Sequence, residues 1–210
     1  MSLRSASIDV AEALAPKRQR GRDRVAAILA AATELFTEKG YDAVTMTEIA
    51  ARSSTAIGSL YRFFPTKDVL VSALLERYGT TLAEALADIV ARAPSLSVAE
   101  TAAALVAMGD NLRAQRTVTL TLLDVPDDGV LRRQQMRATF KDGLARILSG
   151  YSHRPYTADD APVLLLRGLL KLAWSFEAET AAQHAAHDRE VQRMITLYIA
   201  SEAEKGGAAI

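Results

Sequence analysis

Cysteine is absent from this chain, which excludes disulfides, thiolate metal sites and cysteine nucleophiles. Proline is scarce, at six residues, and aromatic residues make up only 6%. Half of the residues are apolar, with Ala and Leu recurring throughout, and this composition favours an all-α protein over a sheet protein. No strand-like alternation or internal repeat emerges. Long apolar runs are missing as well. Arg4, Asp9 and Glu12 interrupt the start of the chain, which lacks the apolar stretch of about 7–15 residues that marks a signal peptide. The most apolar segment, residues 163–176, is too short for a membrane span and carries Arg167 and Lys171. The expectation is a cytoplasmic protein with no membrane partner. A nucleophile elbow and a Gly-rich phosphate loop are also missing, so an enzyme is not expected.

The chain has 210 residues, enough for a sizeable core in one domain or two small ones. Its formal net charge is zero, but the total hides an asymmetry. Residues 17–67 hold nine Lys/Arg against five acids, whereas residues 68–210 hold 15 against 18. Phosphate contact needs a local basic surface, not a basic protein.

Residues 1–20 read as a flexible arm ending in the basic run Lys17-Arg18-Gln19-Arg20. Such an arm either follows phosphates and enters a minor groove or is simply solvated. From residue 24 to 39 the apolar positions Val25, Ile28, Leu29, Ala32, Leu35 and Phe36 fall at i, i+3, i+4, i+7 spacing, one face of an amphipathic helix. Gly40 supplies its left-handed stop. Thr45-Met46-Thr47-Glu48 forms a capping box that starts a second short helix, ending near Arg52. Ser53-Ser54-Thr55 makes a turn. A third helix, residues 56–64, places Leu60 and Phe64 one turn apart on an inner face and leaves Ile57, Ser59, Tyr61 and Arg62 on or beside the outer one. Pro65 stops that helix and Thr66 caps the next. Two short helices joined by a tight turn have the form of a helix-turn-helix, which lays its second helix in the DNA major groove.

Further helices are expected at 67–92, 97–116, 118–125, 130–148, 157–183 and 188–204, about nine in all. Pro126-Asp127-Asp128-Gly129 is a turn and the residues from Gly206 onward form a frayed tail.

The run from Ile28 through Gly40-Tyr41, then Thr45-Met-Thr-Glu-Ile-Ala50, then Gly58-Ser-Leu-Tyr-Arg-Phe-Phe-Pro-Thr-Lys67, resembles the TetR family of bacterial transcriptional repressors. The likeness covers about the first third of the chain. It implies a helix-turn-helix DNA-binding domain at 21–67 and a helical effector-binding and dimerisation domain at 68–210. It further implies a homodimer on a near-palindromic double-stranded DNA operator, released by an unknown small-molecule effector. No cofactor is implied.

DNA contact is expected at Thr45, which sits at a helix start, at Thr55, Ala56, Ile57, Gly58 and Ser59 around the start of the third helix, and at Tyr61 and Lys67. Tyr61 and Lys67 match the family's phosphate-contacting tyrosine and its lysine at the start of the fourth helix. For Tyr61 the other reading is a partly buried core residue, and for Thr45 it is capping alone. Many members have Gly-Val-Ser-Lys where this chain has Ser54-Thr55-Ala56-Ile57. The serine cap is thereby lost to Ala56, leaving Thr55 or Ser54 to cap, and the lysine becomes Ile57, which cannot bond a guanine but can pack on a thymine methyl. Base selection is therefore expected to rest on Thr55, Ile57 and Ser59.

In the C-terminal part Met108, Leu112, Leu122, Met136, Phe140 and Trp174 either line an apolar effector pocket, with Asn111 as a polar fixture, or are plain core. Val191, Met194, Ile195 and Tyr198 suit a helix face at a two-fold dimer interface. His184 and His187, with Asp188 beside them, are spaced to hold a metal or are merely exposed, and no metal site is assigned. The alternatives to a ligand-released repressor are a non-specific structural DNA-binding protein and a metal-responsive repressor.

Overall fold

A computed structural model describes residues 6–123, 125, 129–176 and 178–207, with the backbone alone for 6–18, 114, 129 and 207. The described residues form nine α-helices and one 3-10 turn, with no strand among them: α1 (Ala6–Lys39), α2 (Met46–Arg52), α3 (Ile57–Phe63), α4 (Lys67–Arg92), α5 (Val98–Asn111), α6 (Arg113–Leu122), α7 (Gly129–Ser152), α8 (Ala161–Ser175) and α9 (Ala181–Gly207). The all-α expectation holds.

Several boundaries differ from expectation, each for a local reason. Residues 6–20 belong to α1 and are not an arm, because the stretch is rich in Ala, Leu, Glu, Lys, Arg and Gln, all strong helix formers. Residues 1–5 and the side chains of Lys17 and Arg18 lie outside the described residues. The break between α5 and α6 falls at Leu112 rather than after Arg116, and Leu112 has φ −99° and ψ 1°. Helix α8 begins only at Ala161: Pro162 sits in its first turn, where a missing N–H costs nothing, and the Asp160 carboxylate accepts from Thr157 N at 2.6 Å. It stops at Ser175, and α9 restarts behind a capping box of its own. There Gln183 N donates to Thr180 Oγ1 at 3.2 Å while Gln183 Oε1 accepts from Thr180 N at 3.1 Å. The tail expected from Gly206 onward is the end of α9 as far as Gly207, and 208–210 lie outside the described residues. So does most of the 126–129 turn.

The chain forms two compact units. The first comprises residues 1–76 with 118–126, so it reaches nine residues past the boundary expected at 67 and takes in a later segment. Within it α1 packs on α2 and α2 on α3. Ile28, Leu29, Ala32, Leu35 and Phe36, on the amphipathic face read from the sequence, are buried with Val44, Ile49, Leu60, Phe64, Leu70 and Val71, while Val25 of that face is half-buried. Gly40, at φ 78°, ends α1 in the left-handed region and donates its N–H to Phe36 O.

The second unit comprises residues 77–117 and 127–210. Here α9 packs against α5, α7 and α8, and α8 also packs against α5 and α7. Leu105, Leu144, Leu148, Val163, Leu166, Leu170, Ile195 and Ile199 fill its core with almost no exposure. No helix among the described residues is long and apolar enough to cross a membrane.

Candidate nucleic-acid interface

Helix α3 is seven residues long, and one buried side chain on it together with the next residue sets its orientation. Leu60 is fully buried and Phe64, its C-cap, nearly so. The opposite side is left to solvent: Ala56, Ile57, Gly58, Tyr61 and Arg62 are exposed, and Ser59 is half-buried. A Cβ added at Gly58 would meet nothing within 4 Å, so that stretch of backbone is open to close approach by another molecule.

The turn before α3 is tight. Ser54 holds φ 50°, the left-handed region, and Thr55 N donates to Ala50 O at 2.9 Å. Thr55 is buried and its hydroxyl donates to Ser53 O at 3.2 Å. It neither caps α3 nor faces outward, which removes it from the expected base-reading set: the hydroxyl is consumed inside the turn. The N-cap position falls to Ala56, with no side-chain cap.

At α2 the capping box is complete. Glu48 N donates to Thr45 Oγ1 at 3.2 Å and Thr45 N donates to Glu48 Oε2 at 2.8 Å. Lys39 Nζ pairs with Glu48 Oε1 at 2.7 Å. Bonds from Lys39 and from the Thr45 backbone hold the Glu48 carboxyl down to about 2. Thr45 is exposed, so capping leaves its outer side accessible.

Lys67 behaves differently from the expectation drawn for it. Its Nζ donates to Tyr41 O at 2.7 Å and Val44 O at 2.9 Å, and stands 4.0 Å from the centroid of the Tyr41 ring. These contacts tie the α1–α2 connection to the start of α4 and leave little of the ammonium for a phosphate. Tyr41 in turn donates to Asp68 Oδ1 at 2.5 Å, and burial, with that bond, pushes its hydroxyl up to about 12. Arg52 is engaged too, donating to Glu38 at 2.8 and 2.9 Å and to Glu34 at 3.3 Å. Of the basic residues counted in the sequence, those exposed around α3 are Arg62, whose guanidinium lies 5.3 Å from the Phe63 ring, and Arg24, which reaches Ser59 Oγ at 3.5 Å. Arg24 was not legible as a site residue, since 35 positions separate it from Ser59.

The expected pocket residues are partly brought together. Met108, Leu112 and Phe140 are buried in the second unit, where Met136 and Trp174 pack against the same core and the Phe140 and Trp174 rings lie 5.3 Å apart. Gly109 lets the Trp174 indole lie where a Cβ would stand. Asn111, the last residue of α5, is exposed. Leu122 is buried but belongs to the segment grouped with the first unit, because α6 passes from one unit to the other at Thr117–Val118. The expected dimer residues divide. Val191 and Ile195 are buried in the core of their own unit, Tyr198 is half-buried and donates to Pro162 O at 3.2 Å, and only Met194 is exposed. The sequence missed the exposed apolar residues beside them: Leu164, Leu165 and Leu172 on α8, and Leu197 on α9. His187 stacks on Phe176 at 3.9 Å, while His184 meets Asp188 and Asp110.

Residues 28–74 match the family model for bacterial regulatory proteins of the tetR family. The repressor Rv3405c of Mycobacterium tuberculosis is 49% identical over 83 residues, covering 37% of this chain and 44% of that protein. The chain thus matches less than half the length of that relative. Among solved structures, a tetR-family regulatory protein from Rhodococcus RHA1 superposes with a TM-score of 0.64 at 22% identity, over 84% of this chain and 95% of that one. The regulator AibR, solved with isovaleryl coenzyme A and operator DNA, gives 0.57 at 17% identity, over 82% and 96%. These two likenesses concern the fold alone. Residues 28–74 thus match the helix-turn-helix domain of tetR-family regulatory proteins at the level of sequence, and the helical architecture of the described residues is shared with solved regulators of that family.

Proposed function

We propose that this protein is a sequence-specific DNA-binding repressor that holds a near-palindromic operator as a homodimer and releases it when a small molecule binds the C-terminal unit. The observation that carries the reading is the posture of α3: Leu60 and Phe64 anchor it from below while Ile57, Gly58 and Tyr61 stand in solvent beside Arg62. A short helix presented in this way fits the major groove, and two of them on a dimer address half-sites about 34–36 Å apart. Base selection then rests on Ile57 and Ser59, with Tyr61, Arg62, Arg24 and the exposed side of Thr45 as backbone contacts. The apolar core around Phe140 and Trp174 is the place for an effector, and the fold neighbour AibR was solved with isovaleryl coenzyme A.

The dimer reading is supported by the exposed Leu164, Leu165 and Leu172 of α8 with Met194 and Leu197 of α9, two helices that pack on each other. Exposed apolar side chains on paired helices suit a two-fold bundle with a second copy. The test is footprinting on DNA upstream of the gene and its neighbours, in the presence of excess random competitor. A protected two-fold site that survives competition supports the proposal. Uniform coating that competitor abolishes would favour a structural DNA-binding protein.

A further inference from the structure

The last residues of α5 and the start of α9 bring three ligand-type side chains to one point. Asp110, His184 and Asp188 each offer one atom, all within 4.8 Å of one another, the one such grouping among the described residues. His184 Nε2 lies 3.3 Å from Asp110 Oδ1 and 3.2 Å from Asp188 Oδ2. Ligands held tetrahedrally at about 2.0–2.2 Å from a zinc ion stand about 3.3–3.6 Å from each other, so two of the three edges are close to a coordination polyhedron. The third edge, between the two carboxylates, is within 4.8 Å.

What occupies the meeting point is itself a cation. Arg113 Nη2 donates to Asp110 Oδ1 at 2.5 Å and approaches His184 Nε2 to 2.9 Å. Two carboxylate oxygens and one imidazole nitrogen then converge with one guanidinium among them. Asp188 supplies a further sign, since its Oδ1 is buried without a hydrogen-bond partner. A guanidinium serves this cluster incompletely. A divalent ion takes all three ligands at once.

The geometry points to a binding site for a divalent transition-metal ion formed by Asp110, His184 and Asp188, with water completing the shell and Arg113 displaced by the ion. One imidazole and two carboxylates suit Zn(II), Co(II), Mn(II) or Fe(II), and with no thiolate in the chain Cu(I) is not a candidate. His184 and Asp188 are one turn apart on α9, which presents both on one face, while Asp110 comes from 74 residues away. His187 is not a ligand, as its ring is stacked on Phe176. This site does not depend on operator recognition, and its test is read on the protein alone.

Tag-free full-length protein is titrated with ZnCl₂ by calorimetry and with CoCl₂ by visible absorption. One ion per chain is expected, with a tetrahedral or five-coordinate Co(II) spectrum. The isosteric Asp110→Asn and Asp188→Asn variants and His184→Ala each weaken binding by more than about 100-fold, beyond the roughly 10–100-fold that loss of a supporting partner costs. His187→Ala binds as the parent does, and Arg113→Met binds severalfold more tightly. Anomalous scattering at the zinc edge places the ion between the three side chains. Absence of stoichiometric binding overturns the proposal, as does binding unchanged in Asp110→Asn and His184→Ala, or an ion located elsewhere.

Discussion

Lys67 Nζ lies 2.7 Å from the carbonyl oxygen of Tyr41 and 4.0 Å from the centre of the Tyr41 ring, so one ammonium grips both the backbone and the face of the same residue. Its second carbonyl partner, Val44 O, belongs to the approach to α2. The lysine thus fastens the α1–α2 connection from the α4 side, and Tyr41 returns the contact by donating to Asp68 in the first turn of α4. A residue that the family pattern assigns to phosphate is here part of the scaffold that joins the α1–α2 connection to α4.

The consequence separates two kinds of measurement. Lys67→Met should destabilise the protein by about 2 kcal/mol, the usual worth of charge-assisted bonds to partly buried carbonyls plus a cation–π contact. Chemical denaturation would show this as a lower midpoint. The slope of log K against log salt for DNA binding should stay unchanged, whereas Arg62→Ala should make it shallower by about 1. A shallower slope for Lys67→Met would return the lysine to the phosphate-contacting set.

Ser54 carries a strain that a single substitution relieves. Its φ of 50° places an L side chain in the left-handed region, which costs about 1–2 kcal/mol for residues with a Cβ. Glycine bears no such cost there but adds freedom to the unfolded chain. Ser54→Gly should therefore stabilise the protein by up to about 1 kcal/mol, read as a raised thermal midpoint, without altering operator preference. A lowered midpoint would mean that the serine side chain contributes more than its backbone costs.

These two residues show where sequence patterns carry structure and where they stop. The buried stripe of Ile28, Leu35 and Phe36, the box of Thr45 and Glu48, and the anchors Leu60 and Phe64 depend on spacing within one helix, and all stand where spacing put them. Thr55 and Lys67 could not be placed that way. Whether a hydroxyl folds into its turn, or an ammonium reaches a carbonyl 26 positions away, is decided by tertiary geometry. The same holds on α9, where a periodic apolar face was legible but not its direction. Val191 and Ile195 turn inward, Met194 and Leu197 outward. Asp110 could not be connected to His184 before the fold brought α5 beside α9.

Glu48 predicts a pH effect. Its folded value of about 2 lies below the ordinary 4.5 because the charged form is bonded to Lys39 and the Thr45 backbone. A depressed carboxyl stabilises the fold fully above the unfolded value and loses that contribution as pH falls through the folded one. Between about pH 5 and pH 2 the parent should lose stability more steeply than Glu48→Gln, which keeps a capping box but no charge. Urea midpoints across that range make the comparison, and parallel curves would remove Glu48 from the acid response.

Thr55 and Ile57 are two positions apart and should fail differently. Thr55→Val keeps the shape but removes the donor to Ser53 O, costing about 1 kcal/mol of stability with base preference unchanged. Ile57→Ala removes exposed surface, so stability holds within about 0.5 kcal/mol while discrimination at one or two operator positions relaxes by about 1 kcal/mol. Binding to a panel of single-base operator variants distinguishes them. Equal losses for Ile57→Ala on every variant would exclude it from base reading.

The proposed dimer face gives the remaining contrast, within α8 and α9. Leu172 is about half exposed and Ile195 is fully buried. A glutamate at position 172 stays solvated in an isolated protomer, whereas a two-fold bundle would have to desolvate it and its symmetry mate together. Leu172→Glu should therefore shift sedimentation from dimer to monomer with helical content retained. Ile195→Ala leaves a cavity inside the protomer and should cost about 2–5 kcal/mol. Because Ile195 does not reach the exposed face, that loss appears as protomer instability and not as selective dissociation. If Leu172→Glu sediments as the parent does, the second copy sits elsewhere, and the exposed leucines of α8 lose their assigned partner.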